Sequence, residues 1–183
     1  MRMSWTSLCH DMGLEIPFEA YFSQIGRPFQ DILKLLGITE NLQIIEEHYM
    51  RNSMAYMSLV SFYPGVREVL TGLRVEGRKI GIVTSKDGQR TRILVDQLGI
   101  VFDTLQTPCD AYRGKPAPDH LLVAMAETGV DPAETVYIGD MDSDFEAAMR
   151  AGVDYIHASW GYGEPIPAIP AAATLQDLRA LIA

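Results

Sequence analysis

The chain is poor in cysteine and has no apolar leader segment. Its two cysteines, Cys9 and Cys109, lie far apart and belong to no Cys-x-x-Cys or Cys/His cluster, so neither a disulfide framework nor a zinc site is expected. The first residues lack the apolar core of a signal peptide. We therefore predict a protein of the reducing cytoplasm.

Basic charge and long apolar runs are also scarce. A net charge of -9 argues against a nucleic-acid partner bound through its phosphates. No run reaches the ~18 apolar residues of a membrane-spanning helix, so we predict no membrane partner. The 183 residues are enough for one well-buried domain with a smaller appendage.

Residues 1–62 show helical spacing and no convincing strand. Trp5, Leu8 and Met12 recur on one helical face up to Gly13, and a longer helix is predicted from Leu42 to Leu59. We interpret residues 1–62 as a small α-helical domain.

The pattern changes at the turn-forming sequence Tyr63-Pro64-Gly65, after which short apolar strands alternate with helices. Strands are predicted at Lys79–Thr84, Phe102–Thr107, Val136–Gly139 and Val153–Ser159. This alternation predicts an α/β domain over residues 63–183, with a parallel sheet covered by helices on both faces.

Three carboxylates, Asp140, Asp142 and Asp144, follow the strand that ends at Gly139. Asp142 or Ser143 can cap the next helix, and Asp144 suits the positive first turn of that helix. Asp140 lies outside the helix, and an oxygen ligand at such a corner suits Mg²⁺, which takes one or two protein carboxylates and keeps several waters. The alternative is an acidic turn residue in solvent.

Polar groups follow two further strands at the same edge of the predicted sheet. Thr84 and Ser85 end one strand, and Lys115 lies in the loop after the next. A hydroxyl, an ammonium and a magnesium ion held by acids could together bind a phosphate, as phosphoryl transfer requires. Taken singly, Thr84 is also an ordinary turn hydroxyl and Lys115 an ordinary loop lysine.

The segments IGIVTSK, RGKPAPD and YIGDMDSDFEAAMRAG, in this order, resemble the haloacid dehalogenase superfamily. The similarity is to its phosphoglycolate-phosphatase-like and β-phosphoglucomutase-like branch, and it covers nearly the whole chain. It implies a Rossmannoid α/β core with a helical cap at residues 1–62. It also implies a Mg²⁺-dependent phosphatase that acts on a small phosphorylated metabolite through an aspartyl-phosphate.

The resemblance also implies roles for particular residues. Thr84 would bind the phosphate with Ser85 beside it, and Lys115 would steady both the nucleophile and the phosphate. Asp140 would be a Mg²⁺ ligand, and Asp144 would orient the metal or its waters.

In the cap, the Gly26-Arg27 loop resembles the segment that family members lower over their substrate. Arg27 would then touch the leaving group. Alternatively, Arg27 forms a salt bridge with Asp31, four residues later.

The sequence departs from the family at one point, because it contains no Asp-x-Asp-Gly-Thr segment. In the family this segment supplies the central strand, the nucleophile, the acid/base and at least one metal ligand. We therefore expect a sheet that is short of a strand, and a chain that is inactive or nearly so by itself. The explanation that we favour is a natural protein that extends upstream of Met1. Alternatively, the missing strand is supplied by a partner or a second copy, or by another segment of this chain.

The second hypothesis for function is a non-catalytic module that binds phosphorylated ligands or a protein.

Overall fold

The computed structural model describes residues 1–182 and divides the chain into two compact units, residues 1–61 and 62–183. The boundary predicted from sequence falls one residue later. None of the helices in the described part of the chain is long and apolar enough to cross a membrane.

The first unit is helical and contains α1 (Arg2–Met12), α2 (Phe18–Phe22), α3 (Phe29–Leu35) and α4 (Leu42–Ala55). Its core combines aliphatic side chains with stacked aromatic rings: the rings of Trp5 and Tyr21 stack with their centroids 4.2 Å apart, and those of Phe29 and Tyr49 stack at 4.5 Å. The two tyrosine hydroxyls are hydrogen bonded at 2.8 Å. The last predicted helix ends four residues early, at Ala55, and a single 3-10 turn follows at Met57–Leu59.

The second unit alternates helices and strands. In chain order it contains α5 (Val66–Val75), β1 (Gly81–Val83), α6 (Gly88–Leu98), β2 (Thr104–Gln106), α7 (Asp119–Thr128), β3 (Val136–Gly139), α8 (Asp142–Ala151), β4 (Asp154–Ala158), β5 (Ala171–Ala172) and α9 (Leu175–Leu181). The α/β prediction is confirmed, although most strands are shorter than expected. The two-residue strand β5 is not among the strands predicted from the sequence.

The strands form two parallel sheets, β1-β2 and β3-β4-β5. No backbone ladder joins β1 to β3 within residues 1–182. A single continuous sheet is therefore not present, in agreement with the expectation that a strand is lacking.

Helices nevertheless cover both faces and connect the two sheets. On one face, Val83 of β1 and Tyr137 of β3 pack against the same apolar cluster, which α7 and α8 supply. On the other face, Leu175 of α9 packs both on the cluster beneath β1 and on the cluster beneath β4. The edges of β1 and β3 are consequently held near each other without being paired.

Candidate active site

A buried ion pair joins the loop after β2 to the first turn of α8. The Nζ atom of Lys115 lies 2.5 Å from Oδ1 of Asp144, and only 8% of Lys115 and 4% of Asp144 is exposed. Lys115 precedes Pro116 through a cis peptide bond. A buried charge requires a partner of opposite sign, and each of these two residues supplies that partner for the other.

The hydroxyl of Tyr137 extends this pair to β1. Its oxygen lies 3.2 Å from Nζ of Lys115, 3.2 Å from Oδ1 of Asp144 and 3.0 Å from the carbonyl oxygen of Val83. The lysine donates to the hydroxyl, and the hydroxyl can donate to either oxygen acceptor. One polar cluster, Lys115-Tyr137-Asp144, therefore connects β1, the loop after β2, β3 and α8.

The cluster favours one protonation state. Burial opposes the charge on Lys115, but the contacts with Tyr137 and Asp144 outweigh it and raise the pKa of this lysine above its usual value. Burial is the main reason that the pKa of Tyr137 is raised to about 12. At neutral pH the cluster therefore holds a protonated lysine and a neutral tyrosine.

The second oxygen of Asp144 binds the backbone where β3 turns into α8. Oδ2 accepts hydrogen bonds from the backbone N–H groups of Asp140 and Met141, each at 3.1 Å. The expectation that Asp142 or Ser143 caps this helix is wrong, because Met141 is the N-cap residue and Asp144 accepts the capping hydrogen bonds. Asp144 thus has donors on both oxygens, and its predicted role towards a metal stays a prediction.

Asp140 is half-buried and differs from Asp144 in its contacts. Its Oδ2 atom accepts a hydrogen bond of 2.7 Å from the backbone N–H of Tyr162. No described residue makes a hydrogen bond to Oδ1, so that oxygen is open to a ligand.

The contacts of Asp140 can be compared with what binding of the predicted Mg²⁺ requires. Within residues 1–182, no three His, Cys, Asp or Glu side chains come together to hold a metal. Mg²⁺ does not need such a cluster, because it is commonly held by one or two carboxylates together with waters and substrate phosphates. The single open oxygen of Asp140 fits that mode of binding.

Thr84 and Ser85 lie between β1 and α6. The backbone N–H of Thr84 donates to the carbonyl of Gln106, and its hydroxyl accepts a hydrogen bond of 3.1 Å from the N–H of Lys86. The hydroxyl therefore also stabilises the turn, as the simpler alternative proposed. Phosphate binding by Thr84 and Ser85 stays a prediction.

Lys86 was not among the candidates from sequence. Burial, together with the nearby positive charge of Arg90, lowers its pKa. Its position directly after Thr84 and Ser85 is the feature of the sequence that could have suggested it as a site residue.

Arg27 lies in the helical unit, in the turn between α2 and α3. Its alternative partner, Asp31, contacts Lys34 instead, at 3.5 Å. The suggested substrate contact of Arg27 stays a prediction.

Helix α8 makes a second contact with the loop after β2 that carries Lys115, here called the lysine loop. Nη1 of Arg150 donates to the carbonyl oxygen of Pro116 at 2.7 Å, and Nη2 contacts Glu146 at 2.6 Å. The residue after the buried lysine is therefore bound to the same helix that carries Asp144.

Comparison with known proteins identifies the family of this chain. Residues 4–158 match the haloacid dehalogenase-like hydrolase family. The phosphoglycolate phosphatase of Pseudomonas putida strain KT2440 is 36% identical over 128 residues, which make up 68% of this chain and 47% of that protein. The phosphoglycolate phosphatase of Nitrosococcus oceani is 36% identical over 168 residues, 85% of this chain and 74% of that protein.

Solved structures give the same fold. β-Phosphoglucomutase from Clostridium difficile superposes with a TM-score of 0.81 at 19% identity, covering 96% of this chain and 84% of that one. At this identity the likeness concerns the fold alone. Among the sequence relatives, the chain spans about half the length of several of the phosphoglycolate phosphatases that it matches.

Proposed function

This chain belongs to the haloacid dehalogenase-like hydrolases, and from that membership we propose that it forms the phosphate-binding part of a phosphatase for a small phosphorylated metabolite. The relatives that are phosphoglycolate phosphatases support this substrate class. Cys9 and Cys109 are both free thiols, which is compatible with the reducing cytoplasm that we propose as its compartment.

The observation that carries the proposal is the Lys115-Tyr137-Asp144 cluster. It brings the ammonium of Lys115, paired with the carboxylate of Asp144, to the strand ends where Thr84 and Asp140 also lie. Electrostatic stabilisation by fixed charges supplies most of the catalysis in phosphoryl transfer. A buried ammonium whose pKa is raised stays charged throughout the physiological pH range and can attract a phosphate.

Each residue then has a proposed task. Lys115 neutralises charge on the phosphate, and the hydroxyl and backbone of Thr84 and Ser85 bind its oxygens. Asp140 offers its open oxygen to Mg²⁺, and Asp144 fixes both the lysine and the backbone of Asp140. A bound Mg²⁺ would neutralise further charge on the phosphate.

In this proposal the attacking group is the first aspartate of an Asp-x-Asp-Gly-Thr segment, which residues 1–183 do not contain. This chain is therefore expected to have little or no activity alone. Arg27 is proposed to contact the leaving group.

The test is to restore the segment. We would fuse a short strand that ends in Asp-x-Asp-Gly-Thr ahead of Met1 and assay phosphate release from a panel of phosphate esters with Mg²⁺. The matched control carries Asn-x-Asn in the same strand. Phosphate release by the Asp-x-Asp fusion and none by the control supports the proposal. An Asp-x-Asp fusion that folds but releases no phosphate contradicts it.

A second candidate function is the binding of an extended polypeptide segment between β1 and β3. The supporting observation is that each of these strands has a backbone partner on only one side among the described residues. Adjacent strands lie about 4.8 Å apart, so one inserted strand would need about 10 Å between its neighbours. The Tyr137 side chain and its hydrogen bond to Val83 reach from β3 to β1 across this interval.

We propose that the occupant is an apolar, β-branched strand of another polypeptide, running parallel to both neighbours. Hydrogen exchange should then slow at Val83 and Ile138, whose backbone groups face the open edges, when such a peptide is added, and a peptide with proline at alternate positions should have no effect. Sedimentation without peptide identifies self-association. Unchanged exchange at both residues with every peptide tested contradicts this second function.

A further inference from the structure

The loop after β4 closes over the aspartate that follows β3. β3 and β4 are neighbours, with Gly139 opposite His157, so the segments that leave them lie side by side. The chain continues as Trp160-Gly161-Tyr162-Gly163, and the N–H of Tyr162 donates to Oδ2 of Asp140 at 2.7 Å.

The two glycines of this loop permit the contact. A Cβ atom at Gly161 would lie 2.3 Å from Oδ2 of Asp140, and one at Gly163 would lie 1.9 Å from the backbone oxygen of the same residue. Real Cβ atoms essentially never come within 3.0 Å of such neighbours. Any larger residue at either position would push the loop away from Asp140.

The contact determines what Asp140 presents to a ligand. Oδ2 is occupied by the loop, and Oδ1 has no hydrogen-bond partner within residues 1–182. A carboxylate without such a restraint can turn about its side-chain bonds, whereas one with a fixed oxygen keeps the other in a single direction. Partners of this kind orient metal ligands, and their loss commonly weakens metal affinity about 10- to 100-fold.

We propose that the Gly161-Tyr162-Gly163 loop positions Asp140, so that this carboxylate binds a divalent cation through Oδ1 alone. The inference rests on the proposed function for the identity of the ligand. Its structural part, that the Tyr162 N–H fixes the carboxylate, can be tested without any catalysis.

The experiment uses the full chain and Mn²⁺ as the probe, with the loss of the free-ion electron paramagnetic resonance signal as the readout. Tyr162→Pro removes the donor N–H, and Gly161→Ala displaces the loop by contact. Both variants should weaken Mn²⁺ binding about 10-fold or more. Glu164→Pro is the matched control, because it places a proline in the same loop at an exposed residue whose N–H makes no backbone hydrogen bond.

A second readout is the amide proton of Tyr162 in the nuclear magnetic resonance spectrum without metal. It should resonate downfield and exchange slowly, and Asp140→Ala should reverse both properties. Rapid exchange in the native chain would overturn the positioning role, as would native Mn²⁺ affinity in folded Tyr162→Pro and Gly161→Ala. No Mn²⁺ binding by either the native chain or its Asp-x-Asp-Gly-Thr fusion would instead overturn the cation role of Asp140, both here and in the proposed function.

Discussion

β3 and β4 are adjacent strands of one sheet, yet they differ in burial. Four of the five residues of β4 are buried, whereas all four residues of β3 are only half-buried. β4 has a strand on each side, while β3 has a strand partner on one side only among the described residues. The difference indicates that β3 is linked to β1 by the side chains of the Lys115-Tyr137-Asp144 cluster and not by a backbone ladder.

The largest effect should come from removing the charge in this cluster. Lys115→Met leaves the buried carboxylate of Asp144 without its cation, which should lower the free energy of unfolding by about 3–5 kcal/mol. Urea denaturation followed by circular dichroism measures the loss. The control is Lys34→Met, which removes an exposed pair with Asp31 and should cost at most about 1 kcal/mol. Equal effects of the two substitutions would mean that the cluster does not hold the strands together.

The comparison can be sharpened with two isoleucines that face each other in register, Ile156 of β4 and Ile138 of β3. Both pack against the same cluster, but only Ile156 is fully buried, with 6% exposed. Ile156→Ala should cost about 2–5 kcal/mol in unfolding free energy. Ile138→Ala should cost clearly less, because its site is already partly open. A similar loss in both variants would show that β3 is as well packed as β4.

A third test uses the tyrosines that pair in the same register, Tyr137 and Tyr155. Tyr137→Phe removes the hydroxyl that contacts Val83, Lys115 and Asp144, and should cost about 1–3 kcal/mol. Tyr155→Phe is the control, since the buried hydroxyl of Tyr155 has no hydrogen-bond partner within residues 1–182. That change should be neutral or stabilising in thermal denaturation. The opposite order would contradict the bridging role of Tyr137.

The smallest effect should appear in alkaline solution. The folded protein raises the pKa of Lys115 above its ordinary 10.5 and that of Tyr137 from 10.0 to about 12. Raised pKa values in the folded state give stability that is complete below the unfolded values and is lost as the pH rises through the folded ones. The free energy of unfolding should therefore fall above pH 10, by at most about 1.4 kcal/mol per pH unit for each group. Tyr137→Phe should show a shallower fall, and an unchanged slope would exclude Tyr137 as its source.

Local patterns predicted much of the fold. The Tyr63-Pro64-Gly65 turn marks the change from helices to alternating strands, and the apolar run before Gly139 forms β3 as expected. Strand lengths were overestimated, because the ladder of β1 is limited to Gly81–Val83 and the N–H of the β-forming residue Ile80 donates to the side chain of Asp103. The two-residue strand β5 gave no signal, since two alanines have no preference for a strand.

Only some residues of the candidate site could be suggested from the sequence. Asp140 and Lys115 were chosen as candidates because Asp140 directly follows a strand and Lys115 lies in a turn-rich loop, where side chains reach a sheet edge. Tyr137 was interpreted simply as a β-former, although the alternation of Val136, Tyr137 and Ile138 puts its side chain on the opposite face from its neighbours. The tertiary contacts that assign it a polar role are not encoded in local spacing.

The two attachments of α8 to the lysine loop have a mechanical consequence. Asp144 binds Lys115 near the start of the helix, and Arg150 binds the carbonyl of Pro116 six residues later, about 9 Å along the axis. These two contacts restrict movement of the loop relative to the helix. We therefore expect the ammonium of Lys115 to move together with α8, so that a motion withdrawing this charge from the strand ends would also displace the helix.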